Sequence, residues 1–175
     1  MSRPKMKRIL FVCTGNTCRS PMAEVILKDK LLQAGVKNVK VYSAGIRATV
    51  GSPMNEKTAQ TLMEKGFEEV KFSSAQLTDK LLKEAYAIVC MTDSQRDILM
   101  DMRWNTLRKA GEENIENNVY CFSELTGYEV LDPYGKDLDC YRYVYELLAG
   151  GMSALIEKLL PVQEKKRTTR KSSKK

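Results

Sequence analysis

The chain has 175 residues, with 29 Lys+Arg against 22 Asp+Glu, no histidine, five cysteines and a formal net charge of +7. That length supports one packed core. No apolar run approaches the ~18 residues of a membrane span, the first apolar stretch is too short for a signal peptide, and an odd cysteine count with two in one loop is not a secreted disulfide framework. A cytoplasmic protein without a membrane span is expected. The charge excess is local: seven of the 29 basic side chains lie in residues 165–175, which leaves 22 to set against 22 acidic ones. Residues 1–163 are therefore expected to form one domain and residues 164–175 a basic, disordered tail. Such a tail can touch anionic partners but does not make the chain a specific nucleic-acid binder.

In chain order, Arg8 to Val12 is short and almost continuously apolar, which predicts a strand buried on both faces. Cys13-Thr14-Gly15-Asn16-Thr17-Cys18-Arg19-Ser20-Pro21 follows directly, and a helical pattern begins near Met22. Strand, tight loop and helix start in this order form an anion site, because the helix start offers unpaired N–H groups and the positive end of its dipole. The same field favours a thiolate at Cys13. Arg19 adds a planar fork of donors suited to two phosphate oxygens. Gly15 and Asn16 tolerate left-handed backbone angles, and Ser20 can hydrogen-bond the sulfur. The spacing alone is not diagnostic, since Cys90 and Arg96 repeat it. There Asp93 and Asp97 would repel an oxyanion and no glycine lets the backbone curl, so Cys90 reads as a buried strand cysteine before a helix capped by Asp93 or Ser94.

Ala23, Leu27, Leu31 and Ala34 continue the first helix to a stop at Gly35. Val39 to Tyr42 reads as the second strand, ending at Ser43-Ala44-Gly45. Residues 55–65 form a helix with Ala59, Leu62 and Met63 inward, and a short helix follows Thr78 or Asp79 after an irregular stretch. Ala85 to Met91 is a strand, and Ser94 to Met102 a helix with Ile98, Leu99 and Met102 inward. Residues 103–117 give no clear pattern. Val119 to Phe122 is the fourth strand. The last helix carries the stripe Tyr141, Val144, Tyr145, Leu148, Met152, Leu155, Ile156 and Leu159 and ends at Pro161. Gly150-Gly151 within it predicts a kink or a close contact. Strands separated by helices imply an α/β, three-layer sandwich: a four-stranded parallel sheet with helices on both faces and ligands at the carboxyl ends of its strands.

Cys13-x5-Arg19-Ser20 followed by Pro21-Met22-Ala23-Glu24, with Asp132-Pro133-Tyr134-Gly135 further on, resembles the low-molecular-weight protein tyrosine phosphatases, and most closely their bacterial protein arginine phosphatase branch. The resemblance covers nearly everything except the tail and implies that family's fold. It also implies a monomer acting on phosphorylated proteins, with no cofactor and no metal. Cys13 is then the nucleophile, Arg19 the phosphate clamp and Asp132 the general acid, with Pro133 fixing its backbone. Thr14, Gly15, Asn16, Thr17, Cys18, Ser20 and Tyr134 are expected around the phosphate and substrate. A reversible Cys13–Cys18 disulfide, protecting the nucleophile from overoxidation, is a further family expectation.

Chemistry of this kind proceeds through a phosphocysteine and requires a neutralised phosphate, an in-line nucleophile and an acid for the departing group. Thr17 favours phosphoarginine over phosphotyrosine, since tyrosine-directed members typically carry an aliphatic residue there and a hydroxyl can bond a guanidinium. A single Tyr134 after Asp132-Pro133 is compatible with this. The chain departs from many relatives in having Phe72 where a histidine supports the loop. Thiol-dependent arsenate reductase is the alternative enzyme class, but its disulfide relay needs two further placed cysteines, and Cys90, Cys121 and Cys140 are spread over separate elements. A phosphate-binding adaptor is the non-enzymatic alternative, and it would have no use for Asp132.

Overall fold

The structure, a computed structural model, describes residues 5–161; the basic tail expected at 164–175 lies outside them. β1 (Lys7–Cys13), β2 (Val39–Gly45), β3 (Ala87–Cys90) and β4 (Val119–Cys121) form one parallel sheet in the order β2-β1-β3-β4. The helices are α1 (Arg19–Gln33), α2 (Glu56–Glu64), α3 (Asp79–Glu84), α4 (Asp93–Lys109), α5 (Phe122–Thr126) and α6 (Leu138–Leu159).

β1 explains why its sequence reads as an unbroken apolar run. Ile9, Phe11 and Cys13 enter one core with Met22 and Leu27 of α1 and Val144 and Leu148 of α6. Leu10 and Val12 enter a second core on the opposite face, with Leu82 of α3 and Leu99 of α4. A central parallel strand covered on both sides has no solvent face on which to place polar residues. The register pairs Cys13 with Gly45, Val12 with Cys90, and Cys90 with Cys121, so the strands' carboxyl ends line up along one edge. There a ligand is expected in a sheet of this kind.

Several helix boundaries differ from the expected ones. α1 starts at Arg19, placing Pro21 inside its first turn, where the missing N–H has no intrahelical partner to lose. Phe122 leaves the fourth strand to open α5, a helix of five residues that apolar spacing did not predict. α4 continues through the unclear stretch to Lys109, and its N-cap is Thr92, whose hydroxyl accepts the Gln95 N–H, not Asp93 or Ser94. Met63 and Ile98, expected inward, are 64% and 48% exposed. The reason is polar burial. α2 turns Thr58, Thr61 and Leu62 inward, and α4 turns Gln95, Leu99, Thr106 and Leu107 inward. A stripe drawn through apolar residues alone is therefore rotated off the true face. On α4 tertiary contacts stabilise the polar groups: the Gln95 amide donates to the Thr14 hydroxyl and the Thr106 hydroxyl donates to Asp79 of α3 at 2.9 Å; on α2 the Thr61 hydroxyl donates to the Lys57 carbonyl of its own helix.

α6 keeps its apolar stripe, with Tyr145 and Ile156 half-buried on its flank. Its double glycine marks a close contact. A Cβ on Gly151 would lie 2.7 Å from Cζ of Phe122 and 2.8 Å from Cβ of Thr126, whereas one on Gly150 would meet Tyr128 at 3.6 Å, an ordinary contact. Gly150→Ala should thus gain helix propensity of about 1 kcal/mol and raise Tm by roughly 2–4 °C. Gly151→Ala should lose about 1–2 kcal/mol net, because overpacking outweighs propensity. Thermal denaturation of the two variants should show shifts of opposite sign.

Candidate active site

β1 delivers Cys13 to the carboxyl edge of the sheet, and the loop of residues 14–18 wraps over it before α1 begins. Cys13 is 3% exposed at the base of this loop. Its Sγ lies 3.0 Å from the Ser20 hydroxyl and accepts the Asn16 backbone N–H at 3.3 Å. The N–H groups of Gly15, Thr17, Cys18, Arg19 and Ser20 find no acceptor among the described residues. Together with the start of α1 they form a ring of donors that suits an oxyanion.

The loop's shape depends on Asn16. This residue, and not Gly15, takes the left-handed conformation, with φ at 56°. Its buried side-chain amide donates to the hydroxyls of Ser20 and Ser43, both at 2.9 Å, and accepts the Ala75 N–H at 2.8 Å. Ser43 in turn donates to the Glu24 carboxylate, which also pairs with Lys28. Asn16 and Ser20 therefore sit behind the loop and hold it, rather than lining the cleft. Phe72 packs half-buried against the apolar core, and the polar support of the loop runs through Ser43 and Glu24 instead.

Arg19 is buried, yet its Nη2 lies 3.1 Å from Oδ2 of Asp132, which is half exposed. Chain positions 13, 19 and 132 are thus brought to one cleft of about 410 Å³. Its lining includes Cys13, Thr14, Gly15, Thr17, Cys18, Arg19, Asp132 and Tyr134, the last with its ring largely exposed at the rim. The Asp132 side chain also accepts the Tyr134 N–H at 3.2 Å, which shapes the turn after Pro133. Cys18 is buried against the Tyr141 hydroxyl at 3.6 Å. Burial first, and then the contact with Cys18, raise the Tyr141 phenol above its ordinary range. All five cysteines are free thiols.

Three further loop contacts were not singled out from sequence. Gly45 faces the loop so closely that a Cβ there would lie 2.7 Å from the Thr14 carbonyl and 3.0 Å from the Asn16 nitrogen. Arg47, Thr49 and Ser52, from the segment after β2, complete one wall of the cleft. Gln95 of α4 donates to the Thr14 hydroxyl. The position of Ser43-Ala44-Gly45 at a strand's carboxyl end was the signal available, because parallel strands converge there. Cys90 behaves as the sequence suggests: it lies in the second core, donates to the Tyr120 carbonyl at 3.3 Å, and burial pushes its thiol well up. Among the described residues no group of three or more His, Cys, Asp or Glu could hold a metal ion. No described helix is long and apolar enough to cross a membrane.

Comparison with known proteins agrees with this geometry. The chain is 35% identical over 152 residues to a protein-arginine-phosphatase of Geobacillus stearothermophilus, covering 87% of this chain and 95% of the relative. It is 40% identical over 134 residues to the low molecular weight protein-tyrosine-phosphatase Ptp of Acinetobacter johnsonii, covering 76% and 84%. Among solved structures, the YwlE arginine phosphatase from Geobacillus stearothermophilus superposes with a TM-score of 0.74 at 31% identity, covering 87% of this chain and 92% of that one. The sequence profile described as "Low molecular weight phosphotyrosine protein phosphatase" matches residues 8–167. With its donor-rich loop, buried arginine and facing aspartate on a four-stranded parallel sheet, the chain belongs to the low molecular weight phosphotyrosine protein phosphatase family.

Proposed function

We propose that the protein is a cysteine-dependent protein phosphatase that hydrolyses phosphoarginine in preference to phosphotyrosine. The observation that carries the phosphatase reading is the meeting of Cys13 and Arg19, from one loop, with the distant Asp132 in one cleft. The phosphoryl group sits in the loop, where the N–H ring and the Arg19 guanidinium neutralise its oxygens. Cys13 Sγ attacks phosphorus, the bond from phosphorus to the departing nitrogen or oxygen breaks, and Asp132 gives that atom a proton. Water then attacks the phosphocysteine, Asp132 takes a proton from it, the S–P bond breaks and phosphate leaves. The Ser20 hydroxyl and the Asn16 N–H hold the sulfur in place through both steps. When the phosphoryl group occupies Arg19, the Asp132 side chain leaves that partner and, as the carboxylic acid, faces the departing atom.

Thr17 supports the arginine preference. Its side chain lines the cleft, its one side-chain hydrogen bond among the described residues is a long one to Cys18 at 3.7 Å, and a hydroxyl there can accept from a guanidinium. Relatives named as arginine phosphatases and as tyrosine phosphatases both match the chain. Arsenate reduction is less well supported, since Cys90 and Cys121 lie buried together in the second core, away from the cleft lining.

Turnover of phosphoarginine and phosphotyrosine peptides should be measured side by side. Cys13→Ser should abolish both activities, and Asp132→Asn should lower kcat by about 10²–10⁴-fold. Thr17→Ile should lose the phosphoarginine activity preferentially; an unchanged ratio overturns the arginine reading. Asn16→Ala and Gly45→Ala should each lower kcat/KM by about tenfold or more while leaving the fold intact by circular dichroism, because both disturb the loop's shape and not its chemistry.

A further inference from the structure

Gln95 belongs to α4, in the layer opposite α1, yet it reaches the phosphate loop. The residue is 6% exposed, and its amide has only one consistent orientation. Oε1 accepts the Met91 N–H at 3.0 Å, so Nε2 faces the loop and donates to Oγ1 of Thr14 at 3.2 Å. Gln95 is itself fixed, because its backbone N–H donates to the Thr92 cap at 3.2 Å. The contact fills one lone pair of the Thr14 hydroxyl and leaves it a second lone pair and its own proton. Among the described residues nothing else bonds that hydroxyl.

Depth indicates what it meets. Cys13 and Arg19 are 3% and 4% exposed at the base, where the phosphoryl group belongs, whereas Thr14 is exposed and lines the cleft above them. We propose that Gln95 is a positioning residue that holds the Thr14 hydroxyl as a polar wall for the departing side chain of the substrate. A guanidinium N–H can donate into the remaining lone pair, and a phenolic oxygen can accept the proton. The inference rests on the phosphatase reading but not on the choice between arginine and tyrosine.

The test is a double-mutant cycle with Gln95→Leu, Thr14→Val and the pair, in the full chain. KM and kcat are measured on both phosphopeptides, and competitive inhibition by inorganic phosphate, which has no departing group, is measured alongside. Gln95→Leu should raise KM for the preferred peptide about fivefold with a smaller effect on kcat. Phosphate inhibition should stay within about twofold, and the double variant should be no worse than Thr14→Val alone. If phosphate inhibition weakens as much as KM rises, or the two single effects add in the double variant, Gln95 merely scaffolds the loop and the assignment fails. Should Gln95→Leu not fold, Thr14→Val, at an exposed position, decides the matter: an unchanged KM overturns the assignment, and a raised KM with unchanged phosphate inhibition supports it. A wild-type chain that turns over neither peptide sinks the phosphatase reading and this inference together, whereas turnover without coupling sinks the inference alone.

Discussion

Everything at the cleft depends on the side chain of Asn16. A residue with a Cβ in the left-handed region costs about 1–2 kcal/mol, and asparagine is among the few types that adopt it readily. Here both amide protons and the amide oxygen are bonded, tying the loop to α1 through Ser20, to β2 through Ser43 and to the 72–77 segment through Ala75. These anchors lie on three parts of the fold, so the loop cannot relax without disturbing all of them. In the curl that results, the N–H groups of Gly15, Thr17, Cys18, Arg19 and Ser20 are without an acceptor among the described residues. Gly45 completes the arrangement by letting the second strand approach the loop backbone more closely than any Cβ would allow.

Charge is layered around that anchor. Glu24 lies behind the loop, where Ser43 donates to it and Lys28 pairs with it. Arg19 lies in front, nearly buried, with Asp132 reaching it from the opposite end of the chain. A buried guanidinium needs a partner, because an uncompensated charge there is strongly unfavourable. The partner is half exposed, so it can give way to another anion without moving a buried side chain. Preorganised donors of this type act most strongly in a cleft that excludes water from its base. The chain has no histidine; among the described residues the side chains that stiffen the loop are hydroxyl, amide and carboxylate groups.

The two faces of the sheet have different tasks. The face with α1 and α6 is the larger core and fixes the helix that supplies Arg19 and Ser20. The opposite face, with α3 and α4, holds Cys90 and Cys121 away from the cleft lining and contributes Gln95 to the loop. Gly151 on α6 shows how tightly the first face is packed, since Phe122 occupies the volume that a methyl group would need.

The sequence alone determined the elements whose cause is local. An unbroken apolar run became the central strand, proline and glycine punctuated the helices, and Cys13 to Ser20 announced an anion loop because strand end, turn residues and helix start are contiguous. It also named Asp132, but only through resemblance; an aspartate before proline is otherwise an ordinary turn residue. Tertiary structure decided what distant residues do to one another. Ala75 and Gln95 carry no local signature of a site, Ser43 and Gly45 carry only that of a strand end, and Glu24 gives no sign that it meets Ser43; the fold brings them together around the loop. The inward face of α4 differs from its apolar stripe for the same reason: burial of Gln95 and Thr106 is stabilised by hydrogen bonds to other elements, which the periodicity of one helix cannot contain.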